Sequence, residues 1–208
     1  MLTEAHLREL LQPFQLELSA AQLRQIQLYL ELLFRWNRKI NLTSIRDPDE
    51  CVTRHFGESL FLARHFGLQG RLLDIGSGAG FPGLALKVAF PGLSATLLEP
   101  VAKKRAFLKE VVRTCAMESV EVRSERLEEF AARSPVHDFD CATSRAVGHL
   151  EKLVPLAAGC LKPGGRLFLW LGRDQGASLP EITASVEWGE RIPIPLSKRG
   201  EIWWGTKR

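Results

Sequence analysis

Residues 71–83 read Arg-Leu-Leu-Asp-Ile-Gly-Ser-Gly-Ala-Gly-Phe-Pro-Gly and carry the clearest structural pattern in the sequence. The apolar run before the first glycine predicts a buried strand. Gly76, Gly78 and Gly80 then allow a tight turn whose backbone closely approaches a ligand. Pro82 suits the first turn of a following helix, whose N-terminus directs free N–H groups and a partial positive charge into the loop. The stretch therefore predicts a strand, a ligand-binding loop and a helix, in that order.

Downstream of this stretch, strand-like and helix-like segments alternate. The predicted strands are residues 71–75, 94–98, 119–122, 138–142 and 166–171, and the predicted helices are 82–90, 102–116, 125–132 and 149–160. Such a βαβ series predicts a mostly parallel sheet with helices on both faces and ligands bound at the carboxyl ends of the strands. Residues 192–206 predict closing strands, which can run antiparallel.

The first 70 residues predict helices. Apolar residues recur at helical spacing over 7–14 and 23–36, and Asp47-Pro48-Asp49-Glu50 has the form of a capped start for a third helix, which we expect to run to about Arg64. We therefore divide the chain into an N-terminal helical extension, 1–70, and an α/β domain, 71–208, within one compact unit overall.

The composition excludes several classes of protein. Hydrophobic residues make up 45% and charged residues 25%, and no run approaches the roughly 18 apolar residues of a membrane helix. The four cysteines are widely spaced, so we predict buried thiols and no metal site. We expect a cytoplasmic monomer without a secretory signal or a membrane segment. A net charge of +4 leans towards a polyanionic partner without establishing one.

The loop admits two cofactors. Residues 78–83 satisfy the dinucleotide pattern G-x-G-x-x-G, and Glu99 follows at the spacing of an acid that binds ribose hydroxyls. However, Asp74 before the first glycine would repel a pyrophosphate and attract the cationic sulfonium of S-adenosylmethionine, and no separate domain for a hydride acceptor is visible. Asp74, Gly76, Gly78 and Glu99 are candidates for cofactor binding in either case.

Two further segments follow predicted strands. Leu127 and Glu128 come after the third strand, where a backbone group and a carboxylate could recognise an adenine amine, although a helix start explains them equally well. Arg145 ends the fourth strand, where a cation is well placed for a cofactor carboxylate, a phosphate or guanine O6. A structural ion pair is the alternative explanation for Arg145.

Several motifs spread over the chain form a specific combination. They are Trp36-Asn37, residues 41–45 (Asn-Leu-Thr-Ser-Ile), 54–60 (Arg-His-Phe-Gly-Glu-Ser-Leu), the loop 76–83, 103–108 (Lys-Lys-Arg-Ala-Phe-Leu) and Ser144-Arg145-Ala146. With these motifs the chain resembles the RsmG family, also called glucose-inhibited division protein B, the bacterial 16S rRNA guanine-N7 methyltransferases. The resemblance covers nearly the whole chain.

The resemblance implies a Rossmann-like class I methyltransferase that transfers a methyl group from S-adenosylmethionine to N7 of one guanosine in the decoding region of 16S rRNA. By the family pattern, the cofactor site would contain Gly76, Phe81, Glu99, Pro100, Val101, Leu127, Glu128 and Arg145. Residues implied to lie near the cofactor or the RNA are Asn37, Asn41, Arg54 and His55. For His55, helix packing is an equally good explanation.

Guanine N7 carries an in-plane lone pair and no proton, so methyl transfer to it needs positioning and electrostatics rather than a general base. We predict that Arg145 holds cofactor and guanine in register as the catalytic residue. The target should be unpaired, because duplex RNA hides N7 in a deep, narrow groove. Basic residues that could follow the RNA phosphates are Arg35, Arg38, Lys39, Lys103, Lys104 and Arg105.

The chain departs from the family pattern at several places. Leu171-Gly172 stands where Lys-Gly is common, and Arg173 could substitute for the lysine. Glu58-Ser59 stands in place of Asp-Ser, and Trp203-Trp204 in place of an aliphatic pair. Without the resemblance, the residues also leave open an NAD(P)-dependent oxidoreductase, a small-molecule methyltransferase and a non-catalytic nucleotide-binding module that interacts through its helical extension.

Overall fold

The computed structural model describes residues 2–133, 138–145, 148–176, 179 and 185–208. Its first part is helical. The helices are α1 (Glu4–Leu11), α2 (Ala20–Asn37), α3 (Pro48–Cys51), α4 (Glu58–Leu60) and α5 (Leu62–His65), with a π-helical segment, Val52–Gly57, between α3 and α4. Ser19 and Gln22 form a capping box at the start of α2, which fixes where that long amphipathic helix begins. The predicted third helix is thus confirmed in extent, but it is divided by the π-helical segment.

A single mixed sheet forms the centre of the remaining chain. Its strands are β1 (Arg71–Ile75), β2 (Ser94–Leu98), β3 (Val120–Arg123), β4 (Phe139–Arg145), β5 (Leu161–Gly172), β6 (Val186–Trp188), β7 (Ile192–Pro193) and β8 (Gly200–Lys207). The strand order is β3-β2-β1-β4-β5-β8-β6, and β7 also pairs with β8. Strands β1 to β5 are parallel, whereas β8 runs antiparallel to β5, β6 and β7. The predicted parallel sheet with antiparallel closing strands is confirmed.

Strand β4 continues to Arg145, beyond the predicted end at residue 142. The apolar pattern stops there because Thr143 and Ser144 are polar, yet both are buried. Their hydroxyls find partners in β1: Thr143 donates to the Asp74 carboxylate at 2.8 Å and Ser144 to the Ile75 carbonyl at 3.1 Å. A strand can therefore carry polar side chains inward when a neighbouring strand satisfies them.

Helices cover both faces of the sheet. They are α6 (Gly83–Ala89), α7 (Ala102–Thr114), α8 (Leu127–Arg133) and α9 (Leu150–Cys160). Alternate residues of the strands pack into two apolar clusters: one joins the N-terminal helices with α6 and α7, and the other joins α8 and α9. The N-terminal helices thus share a core with the sheet, and a boundary at residue 70 stays a prediction.

Among the residues that the structure describes, no helix has the length and apolarity needed to cross a bilayer. Within the same ranges, no group of three or more His, Cys, Asp or Glu side chains is arranged to hold a metal ion. The cysteines Cys51, Cys115, Cys141 and Cys160 are buried and unpaired with one another, as their spacing predicts.

Candidate functional site

The glycine loop lies between β1 and α6, at the carboxyl edge of the sheet. Gly76, Gly78 and Gly80 have φ values of +71°, +57° and +89°, a region that favours glycine. The Ser77 amide donates to the Leu98 carbonyl at 3.0 Å and so ties the loop to the end of β2. The predicted loop conformation is confirmed; Gly76 is exposed, Gly78 is half-buried and Gly80 is buried.

Aromatic side chains of the helical extension support the loop from behind. The Tyr29 hydroxyl donates to the Ala79 carbonyl at 2.5 Å. Phe81 is stacked between Tyr29 and His55, with ring centroids 5.3 Å and 4.8 Å away. The buried Phe81 ring therefore packs against α2 and the π-helical segment, so a contact with a cofactor, which stays a prediction for Phe81, would be through its backbone.

The Asp74 carboxylate lies beneath the loop and has no exposed surface. It accepts a hydrogen bond from Thr143 and faces Gly83, where a Cβ atom would stand 2.5 Å from Oδ2. Burial raises the pKa of Asp74 to about 6, although the Thr143 hydroxyl and the Gly83 amide lower it. The structure places this carboxylate under the loop, away from solvent, and its contribution to cofactor binding stays a prediction.

Glu99 ends the predicted ribose-binding segment after β2. Its carboxylate accepts hydrogen bonds from the amides of Gly78 at 2.9 Å and Val101 at 2.8 Å, and it is 4% exposed. Pro100 and Val101 are exposed beside it. Each Glu99 oxygen accepts one bond from the backbone and keeps a lone pair for a ligand hydroxyl.

A cleft of about 330 Å³ opens next to the loop, and we call it the glycine-loop cleft. Its lining residues are Ile75, Gly76, Leu98, Pro100, Glu125, Arg126, Leu127, Glu128, Gly148, His149, Lys152 and Leu153. Leu127 is buried in its wall and Glu128 is exposed, at the start of α8. Sequence reasoning missed His149 and Lys152, since only the fold brings the start of α9 to this place.

Arg145 lies at the end of β4 in a network of charges. Its Nη2 donates to Glu58 Oε2 and to the Arg54 carbonyl, both at 2.8 Å. Glu58 Oε1 accepts from Arg54 Nε at 2.9 Å, so one nearly buried carboxylate holds two guanidinium groups. Burial lowers the pKa of Arg145, and Glu58 counteracts this. The ion pair that was the alternative explanation for Arg145 is therefore present.

The same guanidinium also lines a second cleft, of about 620 Å³, which we call the Arg145 cleft. Its lining residues are Arg54, Glu58, Arg145, Trp170, Leu171, Gly172, Gln175, Ile194, Leu196, Ser197, Lys198, Arg199 and Gly200. Trp170, Leu171 and Ile194 make it apolar inside, while the arginines and Lys198 make it basic. Sequence reasoning missed the segment 194–200, which carries no motif.

Asn37 and His55 both make hydrogen bonds to the turn that follows α2. The Asn37 amide donates to the Thr43 carbonyl at 2.9 Å and accepts from the amides of Leu42 and Thr43, so it holds the turn after α2. His55 Nε2 lies 2.7 Å from the Thr43 hydroxyl. Burial, reinforced by Arg145 and Arg54, lowers the pKa of His55 to about 3, so its ring is neutral at pH 7. Asn41 is exposed near this turn.

Some predicted cations have structural partners. Arg105 donates to the carbonyls of Glu99 at 3.0 Å and Pro100 at 2.7 Å, so it fixes the segment that follows β2. Arg35 pairs with Glu110 at 3.4 Å. Arg173 pairs with Glu201 at 3.1 Å and does not line the described Arg145 cleft. Lys198 and Arg199 supply cations there instead. Three further basic residues are exposed to solvent: Arg38, Lys39 and Lys103.

Comparison with known proteins gives a consistent result. Residues 22–191 match the family described as rRNA small subunit methyltransferase G. A protein of that name from Chloroflexus aggregans is 41% identical over 174 residues, which cover 83% of this chain and 73% of that protein. Another, from Chromohalobacter salexigens, is 38% identical over 194 residues, 93% of this chain and 90% of that one. The crystal structure of a methyltransferase dependent on S-adenosylmethionine from Aquifex aeolicus superposes with a TM-score of 0.62 at 16% identity, covering 78% of this chain and 94% of that one, which shows the fold alone.

Proposed function

This chain belongs to the family of rRNA small subunit methyltransferase G, and from that premise we propose which residues serve its reaction. The chain is an S-adenosylmethionine-dependent enzyme that methylates guanine N7 in 16S rRNA. One observation carries the proposal: the glycine-loop cleft and the Arg145 cleft open at the same edge of the sheet. We assign the cofactor to the first and the acceptor guanosine to the second. The dinucleotide alternative is thereby superseded.

The glycine-loop cleft fits the cofactor in shape and in donor set. Leu98, Pro100 and Leu127 give it apolar walls suited to an adenine ring. Glu99 does not itself line the cleft, but it stands between Leu98 and Pro100, which do, and its free lone pairs suit the ribose hydroxyls. Gly76 lines the cleft and leaves room for a chain of atoms close to the backbone. When bound, S-adenosylmethionine supplies a methyl group on a cationic sulfur. Glu128 stands at the mouth, where its carboxylate could accept from the adenine amine.

The acceptor needs no base from the protein. Guanine N7 offers a lone pair, and the new N–CH₃ bond forms as the S–CH₃ bond breaks, so no proton moves at that atom. The chain's contribution is to position the base and to exclude competing arrangements. Arg145 is suited to this, because Glu58 fixes its guanidinium where it can donate to a guanine edge or to a phosphate. Neutral His55 is held aside by Thr43.

The substrate is small-subunit rRNA, and the flanks of the Arg145 cleft suit an unpaired strand. We propose that the enzyme acts as a monomer in the cytoplasm, where ribosomal RNA is processed in bacteria. Arg38, Lys39 and Lys103 are exposed cations that could follow the phosphates on the way to the clefts.

The proposal is tested with small ribosomal subunits that lack the modification and with labelled S-adenosylmethionine. We expect the label in 7-methylguanosine at one position. Arg145→Ala should lower kcat about 100-fold while the affinity for S-adenosylhomocysteine changes less than about three-fold. The matched control is Arg113→Ala, which removes an exposed cation near the C-terminal end of α7. Label in another nucleoside, or an Arg145→Ala enzyme with full turnover, would overturn the assignment.

A further inference from the structure

The turn Ile194–Gly200, which joins β7 to β8, forms the outer rim of the Arg145 cleft, and we call it the rim turn. Within this turn, Leu196 is 65% exposed. Among the described residues, the other large hydrophobic with comparable exposure is Val101, at 47%, beside the glycine-loop cleft. A single exposed apolar side chain is ordinary by itself. What distinguishes Leu196 is its place in the lining of the Arg145 cleft, where it can contact a ligand that enters from solvent.

Leu196 also has a strained backbone. Its φ is +62°, a region that a bulky, non-glycine residue rarely adopts. The turn around it is closed by hydrogen bonds from the Ile194 amide to the Gly200 carbonyl at 3.0 Å and from the Gly200 amide to the Ser197 hydroxyl at 2.9 Å. Backbone strain of this kind persists where the surroundings enforce it, and it is concentrated at ligand-binding sites.

A cation, Lys198, lines the same cleft two residues after Leu196. It is exposed and has no ion pair among the described residues. Arg199 lies beside it, with a carboxylate of Asp174 at 3.7 Å. By contrast, Arg54 and Arg145 are both balanced by Glu58. Lys198 therefore supplies uncompensated positive charge at the rim.

We infer that the rim turn is an RNA clamp: Leu196 stacks against a base that flanks the target guanosine, and Lys198 binds the phosphate next to it. An apolar side chain against a base and a cation against the backbone are the two elements with which proteins hold unstacked nucleic acid. Held in this way, the flanking nucleotide cannot restack on the target, so the target guanosine stays splayed into the cleft. This inference rests on the proposed acceptor role of the Arg145 cleft.

The backbone strain at Leu196 makes the test selective. Leu196→Gly removes the side chain and also relieves the positive φ, so the variant should unfold at a temperature equal to or higher than that of the parent. Its kcat/KM with unmethylated small ribosomal subunits should fall about ten-fold, the order of effect expected when one leucine side chain no longer packs against a base. Ser119→Gly is the matched control, since it relieves a φ of +55° away from both clefts and should stabilise without loss of activity.

Lys198 is tested through the salt dependence of binding. Lys198→Ala should raise KM for the subunits and reduce the slope of log KM against log salt concentration by about 0.7, the effect of one phosphate contact on a single strand. Arg113→Ala should leave that slope unchanged. Affinity for S-adenosylhomocysteine should stay within two-fold of the parent, about the precision of the titration, in both variants.

Each outcome bears on the inference separately from the reaction. If the parent enzyme fails to methylate guanine N7, the proposed function falls. If the parent methylates and Leu196→Gly keeps full kcat/KM, or loses cofactor affinity in parallel, the clamp is overturned. Should Leu196→Gly unfold, Leu196→Asn, which tolerates positive φ and retains a side chain without an apolar tip, decides the question by the same two measurements.

Discussion

The glycine-loop cleft and the Arg145 cleft share one edge of one sheet, but they are built from different parts of the chain. Beside the first, the glycine loop and the segment after β2 are held through backbone groups: glycines with positive φ, amides that bond Glu99, and carbonyls held by Arg105. The second is lined by side chains from distant parts of the chain, between Arg54 and Gly200. Within it, the Glu58 carboxylate is the common partner of Arg54 and Arg145. A loop built from backbone is fixed by local sequence, whereas side chains gathered from distant segments, as in the Arg145 cleft and at His149 and Lys152, depend on the whole fold.

This difference predicts which property of the enzyme is lost when each cleft is mutated. Damage to the glycine-loop cleft should act through backbone strain and should affect stability together with cofactor binding. Damage to the Arg145 cleft should act through charge and position, and should affect turnover on RNA while the fold and the cofactor affinity persist. The following changes test that contrast in order of expected effect.

The largest effect is expected for Gly80→Ala. A Cβ atom at Gly80 would overlap the Tyr29 hydroxyl and stand 3.0 Å from Leu84 Cδ1, in addition to the positive φ. We expect a loss of about 3–4 kcal/mol in the free energy of unfolding, from strain and overlap together, and a loss of cofactor binding. Gly164→Ala, with a similar φ and no atom within 4 Å, should lose only about 1–2 kcal/mol. Equal losses in urea unfolding would contradict the claim that Tyr29 holds the loop.

The next largest effect concerns pH and Asp74. Its folded-state pKa is raised to about 6, so its contribution to stability is fully present below about pH 4 and is lost as the pH rises through about 6. The rise corresponds to about 3 kcal/mol, most of it lost between pH 4 and pH 7. In Asp74→Asn this part of the pH dependence should disappear from urea unfolding measured at pH 4.5 and pH 7.5.

Asp140 supplies the control of opposite sign for the pH prediction. Burial tends to raise its pKa, but Lys162 and the Arg71 amide outweigh burial and hold it below its usual value. Its contribution to stability is therefore present above the unfolded pKa and lost in acid. Asp140→Asn should remove stability near neutral pH, and the same sign for both variants would show that burial does not govern Asp74.

A smaller effect is expected on the Arg145 side. Glu58→Gln keeps the shape of the side chain but removes the charge that positions Arg145, so kcat on small subunits should fall about 30-fold. Cofactor affinity should change less than about two-fold, within titration error, because the glycine loop is untouched. Glu58→Asp, which restores the charge, should recover part of kcat. A parallel loss of cofactor affinity would mean that the two clefts do not fail separately.

The smallest effect is expected for Tyr29→Phe. The variant keeps the stacking on Phe81 and loses only the hydrogen bond to the Ala79 carbonyl, so the free energy of unfolding should fall by about 1–2 kcal/mol. Calorimetric titration with S-adenosylhomocysteine should show a decrease in affinity of a few-fold. KM for the ribosomal subunit should be unchanged, and a raised KM would indicate that the helical extension also contacts RNA.

The same contrast explains how much could be predicted. The conformation at Gly76 and Gly78 could be predicted because spacing along the chain encodes a local loop, and the strands around it follow from apolar runs. The contacts of Gly76, Gly78 and Glu99 with a cofactor stay predictions. Arg145 was placed correctly at a strand end, but its partners could not be known, because Glu58 reaches it through the packing of the π-helical segment against the sheet. The rim turn depends on β8 pairing with both β5 and β7, a long-range arrangement without a local signal.

Orientation was the second limit. A pattern places Asp74 and Phe81 beside the glycines in sequence, but it does not say on which side of the loop their side chains lie. The structure turns both away from the cleft, Asp74 towards Thr143 and Phe81 towards Tyr29 and His55. Both find more complete burial there than a solvent-facing cleft provides.

The stack of Tyr29, Phe81 and His55 also bears on how this enzyme can be re-engineered. When segments are exchanged between relatives, a nucleotide-binding sheet is usually transferred as one unit. Here Phe81 of the glycine loop stacks between Tyr29 and His55, which belong to the preceding helical segments. A crossover at residue 70 would therefore take Phe81 from one parent and its two stacking partners from the other. A working hybrid must inherit all three rings from the same parent, and recombination libraries that respect this rule should retain more folded members than libraries that cut between the helices and the sheet.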